Sequence, residues 1–317
     1  MGAIPLWIKG SFVLCIRNSS RWEGPRIAHG KQRAALGTHS NHDAPPRRAR
    51  YELRPRPLIR LYECLRLALV VLPLTATASA QTPLRIAAAA DLEPVLPPIL
   101  LEFQQATGIH AEATFQASAM LTTQIQNGAP FDLFLSADTG YPKRLIDAGL
   151  ADAAGTADSS TPIVYARGTL VLWTRSDSHL KPSLDLLRSP DLKRLAVANP
   201  ERAPYGRAAL AALTSLKLYD ALKPRLVTAE NISQTAQFVD SGNADAGLIS
   251  LTSALTPRLS AVGAYFLIPR DLYPPLEQGA VIVSKTAERA QAHQFLDYVL
   301  SAPIQAQLAK SGLTPVR

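Results

Sequence analysis

From Gln81 onward, short apolar runs alternate with stretches in which apolar residues recur every three to four positions, the two periodicities of buried strands and amphipathic helices. Leu84–Ala89 reads as a strand, followed by a helix from Leu92 to about Gln105 that stops at Gly108, where glycine can take a left-handed cap. Strands are predicted at Ile109–Thr114 and Phe131–Ser136, and helices from Ala119 to Gln126 and from Pro142 to Gly149. Further strands are read at Thr169–Thr174, Leu195–Ala198, Leu226–Ala229, Asp245–Ser250, Ala264–Ile268 and Ala280–Ser284. Helices are read at Arg207–Leu216, Ile232–Val239, Ala287–Leu300 and Pro303–Ser311. Strands alternating with helices predict an α/β protein with mostly parallel sheets. The length after residue 80 is enough for two lobes of ordinary size. No repeat, low-complexity block or Gly/Ser linker marks a single tether, so the chain is expected to cross between the lobes more than once.

The charge changes the picture only at the N-terminus. The whole chain has a formal net charge of +8, but residues 1–80 hold 13 of the 33 Lys and Arg against 4 acidic residues, whereas residues 81–317 hold 20 against 21. The predicted fold is therefore nearly neutral. Arg54 to Ala80 is a basic stretch, an apolar core over about Leu67–Leu74 and a small-residue end; Ala78-Ser79-Ala80 fits a signal cleavage site before Gln81. The apolar core falls short of the roughly 20 residues of a spanning helix, so residues 1–80 are read as an extension plus cleavable secretory signal, outside the fold. Met120 is the first Met after Met1, and translation is expected to begin at a non-Met codon near residue 50.

Catalytic constellations are not evident. Cys15 and Cys64 both precede residue 80, which leaves the remainder without a thiolate nucleophile, a disulfide or a cysteine metal site. His110, His179 and His293 stand apart from any cluster with metal-ligand spacing, and no phosphate-loop, dinucleotide or nucleophile-elbow motif follows a strand. An enzyme is not the expected reading. What recurs is a strand that ends in small or polar residues and opens a helix: Ala90-Asp91, Ala117-Ser118-Ala119, Ala203-Pro204-Tyr205-Gly206 and Glu230-Asn231-Ile232. Each junction leaves backbone N–H groups unpaired at the positive end of a helix dipole, a ready anion site. Asp91, Ser118 and Asn231 could equally be ordinary N-caps.

In their order and spacing these junctions resemble the periplasmic molybdate-binding proteins, the solute-binding components of molybdate ABC transporters. The resemblance covers about Leu84 to Thr314. It is carried by IAAAADL, by QIQNGAPFDLFLSAD (124–138), by AVANPERAPYG (196–206) and by TAENISQTAQFVDSGNADAGL (228–248). It implies the two-lobed type II periplasmic binding protein fold with the ligand in a cleft, lobe 1 being 81–165 plus 272–317 and lobe 2 being 166–271. Hinges are expected at Tyr165–Gly168 and Ile268–Leu272. The implied oxyanion site consists of Ala90, Asp91, Ser118, Tyr205 and Ile232. In it Ser118 gives hydroxyl and N–H, Tyr205 and Ile232 give main-chain groups, and Asp91 caps its own helix while its N–H faces the ligand. A cleft tyrosine of some members falls at Ser250. The ligand implied is molybdate or tungstate, with no cofactor and with metal bound only as its oxyanion. The partner implied is a membrane permease, with no nucleic acid, and the expected form is a periplasmic monomer. A binding protein for another oxyanion or small organic anion is the main alternative. A cytoplasmic effector-binding regulator is another, disfavoured because residues 1–50 lack the apolar periodicity of a helix-turn-helix.

Overall fold

The computed structural model describes residues 82–153 and 160–316; the expected signal segment lies outside the described residues. The chain runs β1 (Leu84–Ala89), α1 (Leu96–Thr107), β2 (Ala111–Gln116), α2 (Ser118–Gln126), β3 (Leu133–Leu135), α3 (Gly140–Asp147), β4 (Ala151–Asp152) and β5 (Ile163–Gly168). It continues through β6 (Leu170–Arg175), β7 (Leu195–Ala198), α4 (Pro204–Ser215), α5 (Tyr219–Leu222), β8 (Leu226–Ala229), α6 (Ile232–Asp240) and β9 (Ala246–Ser250). Then come α7 (Leu251–Ala254), α8 (Pro257–Val262), β10 (Gly263–Leu267), β11 (Leu276–Val283), α9 (Arg289–Val299) and α10 (Ala302–Lys310).

These strands form two sheets, one per lobe. The first has the order β2-β1-β3-β11-β4, with β5 also pairing with β11, and the second has the order β10-β6-β9-β7-β8. The helix-linked strands are parallel, as the alternation predicts: β1 with β2 and β3, and β7 with β8 and β9. Both sheets are nonetheless mixed, because β11 runs antiparallel to β3, β4 and β5, and β6 runs antiparallel to β9 and β10. These antiparallel strands flank the points where the chain passes between sheets without a helical crossover, and a helix-strand alternation contains no sign of them. Tyr165–Gly168, expected as a hinge loop, is part of β5 and is paired with β11. The passages between sheets are Thr169 and residues 268–275.

Apolar side chains cover both faces of each sheet. In lobe 1, Leu84, Ile86, Phe103 and Phe295 build one core, with the two Phe rings edge to face at 5.0 Å. Leu121, Phe134, Leu145 and Val281 build the core on the opposite face. In lobe 2, Leu172, Leu195 and Leu213 lie on one side and Trp173, Val239 and Ile249 on the other. Strands buried on both faces read as continuous apolar runs, which is why β1 and β7 carry almost no polar residue. Gly108 ends α1 with φ +75° and donates its N–H to Gln104 O at 2.8 Å, the left-handed cap expected there.

Strand register positions the cleft. Ala89 is level with Gln116 across β1–β2, and Ala198 is level with Ala229 across β7–β8. The turns that follow therefore leave each sheet at one height and side by side. This is the carboxyl edge where parallel sheets place ligands.

Candidate functional site

The four helix starts picked out in the sequence meet in one small cavity. Ala90, Asp91, Ser118, Tyr205 and Ile232 all line it, the first three from lobe 1 and the last two from lobe 2. It gives about 10 Å³ to the centre of a water-sized sphere. A space of that size suits a small ion better than a sugar or amino acid. Roomier cavities exist, for instance about 350 Å³ beside Arg270 and Thr314 and about 230 Å³ beside Arg85 and Asp132. Helix starts from the two lobes do not converge on either.

The donors are main-chain groups. Ser118 is the first residue of α2, Tyr205 the second of α4 and Ile232 the first of α6, positions whose N–H groups have no intrahelical acceptor. Among the described residues neither Lys nor Arg lines the cavity, so a bound anion would be held by dipoles and hydroxyls. Gly206 lets α4 start so close: a Cβ there would sit 2.3 Å from Ala198 O. Ser118 Oγ accepts from Ala137 N at 3.2 Å, which leaves its own proton to donate. Of the candidate caps, only Asn231 acts as one, its side chain accepting from Gln234 N at 2.9 Å. The cap of α2 is Ala117, and Ser118 lies inside the helix.

Asp91 departs from its expected role. It makes no cap for the short 3-10 turn Ala90–Leu92. Its buried carboxylate instead reaches across the cleft: Oδ2 accepts from the Tyr205 hydroxyl at 3.1 Å and from Gln278 Nε2 of β11. Oδ1 has no hydrogen-bond partner. Burial pushes the Asp91 carboxyl up to about 6, although its bonds from Gln278 and Tyr205 pull the other way. The hydroxyls of Tyr205 and Tyr165 are pushed well above the usual tyrosine range, by burial first and then by the nearby Asp91 charge. The side chain of Tyr205, expected to matter less than its main chain, thus bonds directly to Asp91 at the candidate site.

Lobe 2 grips the Ala90–Asp91 turn from two further elements. Ser233 donates to Ala90 O at 2.8 Å, and Thr252 donates to Asp91 O at 2.7 Å. At the rim, Ala119 N donates to Arg202 O at 3.1 Å, Tyr141 donates to Glu201 O at 3.2 Å, and Arg207 pairs with Asp138. The cleft is closed. Sequence reading missed Gln278, Ser233 and Thr252. Gln278 is a fully buried amide in β11 next to the half-buried Glu277, and it was missed because the strand was expected to start only at Ala280. Ser250 caps α7 by accepting from Ser253 N at 3.2 Å.

A family model described as "Bacterial extracellular solute-binding protein" matches residues 84–314. The chain is 34% identical over 238 residues to a molybdate-binding protein of Azotobacter vinelandii, an alignment covering 75% of this chain and 92% of that one. It is also 34% identical over 210 residues to a molybdate-binding protein of Rhodobacter capsulatus, covering 66% and 79%. Among solved structures, the periplasmic molybdate-binding protein of Azotobacter vinelandii superposes with a TM-score of 0.67 at 29% identity, over 74% of this chain and all of that one.

Proposed function

Because the chain belongs to the bacterial extracellular solute-binding protein family, we propose that it captures molybdate in the periplasm and delivers it to the permease of an ABC transporter. The single observation that carries the ligand class is the convergence of helix starts from both lobes on one small cavity that, among the described residues, no cationic side chain lines. In this reading the anion accepts from the N–H groups of Asp91, Ser118, Tyr205 and Ile232 and from the Ser118 hydroxyl, with Ala90 shaping the wall. A cage of donors favours a fully deprotonated tetrahedral ion when Asp91 is protonated; an ionised Asp91, with Oδ1 unpartnered among the described residues, would offer an acceptor to the O–H of a protonated phosphate. Tungstate, which has the same shape and charge, is proposed as a second ligand. Release requires the lobes to open about Thr169 and residues 268–275, with the closed rim as the surface a permease recognises. The protein is proposed to act as a monomer after cleavage of a signal ending near Ala80.

Calorimetric titration with molybdate, tungstate, sulfate and phosphate at neutral pH tests this. Tight binding of the first two and none of the last two is expected. Preference for sulfate or phosphate would instead assign another oxyanion to the same cavity. Ser118→Ala removes one hydrogen bond to a charged ligand, worth about 1.5–3 kcal/mol, so its dissociation constant should rise by roughly ten- to a hundredfold.

A further inference from the structure

A residue that lines the proposed anion cavity carries a buried carboxylate. Asp91 lines the cavity and is fully buried, and two donors reach one of its oxygens while none reaches the other. The groups packed around it are neutral: Tyr205 from α4, Tyr165 from β5, Gln278 from β11, Ser233 from α6 and Thr252 from α7, with Tyr273 beyond Tyr205. Charged side chains on these elements turn elsewhere. Arg207 is taken by Asp138 and Tyr141, and Glu277 by Arg167. No cation is among the groups that shift Asp91. The cluster is also one donor short, for Gln278 Oε1 is a second buried oxygen without a partner. Unmatched buried acceptors are costly, and a proton on Asp91 Oδ1 would make that oxygen a donor in place of an unmatched acceptor.

We infer that Asp91 is the site at which this protein takes up one proton from solvent for each oxyanion dianion it binds, so that ligand capture and protonation are linked. The inference rests on the proposed function, since it needs the anion in this cavity. Three steps lead to it. Closure buries the carboxylate; a dianion beside it adds like-charge repulsion; and no cation is near to offset either. Protonation removes the repulsion and turns the carboxylate from a group that only accepts into one that can donate. The charge balance is complete: a carboxylate, a dianion and a solvent proton give a carboxylic acid beside a dianion, without bond breaking in the ligand. In the closed cleft burial outweighs the lowering hydrogen bonds and holds the carboxyl at about 6, and a dianion beside it would move it further up, so uptake is expected in the neutral range.

The test is titration of the purified protein with sodium molybdate near pH 7.5 in buffers of different ionisation enthalpy, which counts protons. Uptake approaching one proton per ion is expected. Affinity should rise towards tenfold per unit fall in pH and level off where the ligand-free protein is itself protonated. Asp91→Asn should bind with no proton uptake and a flat pH profile. Should that variant fail to fold, the infrared band of a protonated carboxylic acid, appearing when the native protein binds molybdate, gives the same answer. Molybdate binding without proton uptake, or uptake that persists unchanged in Asp91→Asn, overturns the inference and leaves the transport reading intact. Absence of molybdate binding overturns the transport reading, and the inference with it.

Discussion

At the scale of single residues, Asp91 sets the cost of closing the cleft. Its carboxyl is raised from 3.8 to about 6 by burial, so between those values the folded protein binds more protons than the unfolded chain. The contribution of Asp91 to stability is therefore full below about 4 and lost as pH rises through about 6. Ionised at neutral pH, it costs roughly 3 kcal/mol relative to an unburied carboxylate. Asp91→Asn should accordingly raise the ligand-free melting temperature more at pH 8 than at pH 5; an equal change at both would show that the charge is not the cause. Gly168 guards the same contact from behind. A Cβ there would meet the Tyr205 hydroxyl at 2.3 Å and Gln278 Nε2 at 3.3 Å, so Gly168→Ala should push the hydroxyl off Asp91 and weaken anion binding, read by titration.

At the scale of elements, two joints hold the helix starts in place. The first is Gly206, which lets α4 begin against the end of β7. A methyl group 2.3 Å from Ala198 O forces the helix outward, so Gly206→Ala should cost about 1–3 kcal/mol by overpacking and lose affinity as the Tyr205 N–H withdraws. Denaturant unfolding and titration of the same variant separate the two effects. The second is Asp132, buried just before β3. It accepts from Arg85 N at 2.7 Å, from the Arg85 guanidinium and from the Thr286 hydroxyl at 2.7 Å, tying β1, β3 and the segment after β11 together. Asp132→Ala strands these donors and should destabilise the fold by about 3 kcal/mol, measured as a lower urea midpoint with an unchanged slope. The residue lies at the far end of β1 from the cleft, so affinity of the folded fraction should be retained.

For the whole molecule, the question is how strongly the lobes hold each other. The deep contacts converge on one turn, where Ser233, Thr252 and Tyr205 of lobe 2 all bond to Ala90–Asp91. The rim contacts of Arg207 are partly exposed, and exposed ion pairs contribute about 0–1 kcal/mol. Arg207→Ala should therefore speed ligand release only a few-fold, with a difference that fades at high salt. A hundredfold faster release in stopped-flow measurements would mean that the rim, not the buried turn, holds the cleft shut.

The sequence by itself determined the helix-linked strands and the residues at their ends. Local periodicity and small-residue junctions are properties of a few consecutive positions, and Ala90, Asp91, Ser118, Tyr205 and Ile232 could be named from them once the family resemblance ordered the junctions. Only the tertiary structure decided what those residues do to one another. The bond from Tyr205 to Asp91 joins positions 114 residues apart, and that from Gln278 to Asp91 joins positions 187 apart. Asp91 as an N-cap was a reasonable local expectation, since short polar side chains commonly satisfy their own helix start. It failed because the opposite lobe brings a hydroxyl, and β11 an amide, to a carboxylate that closure cuts off from water. The antiparallel returns β5 and β11 were hidden for the same reason: their pairing depends on where the chain re-enters the first sheet, which no window of neighbouring residues records.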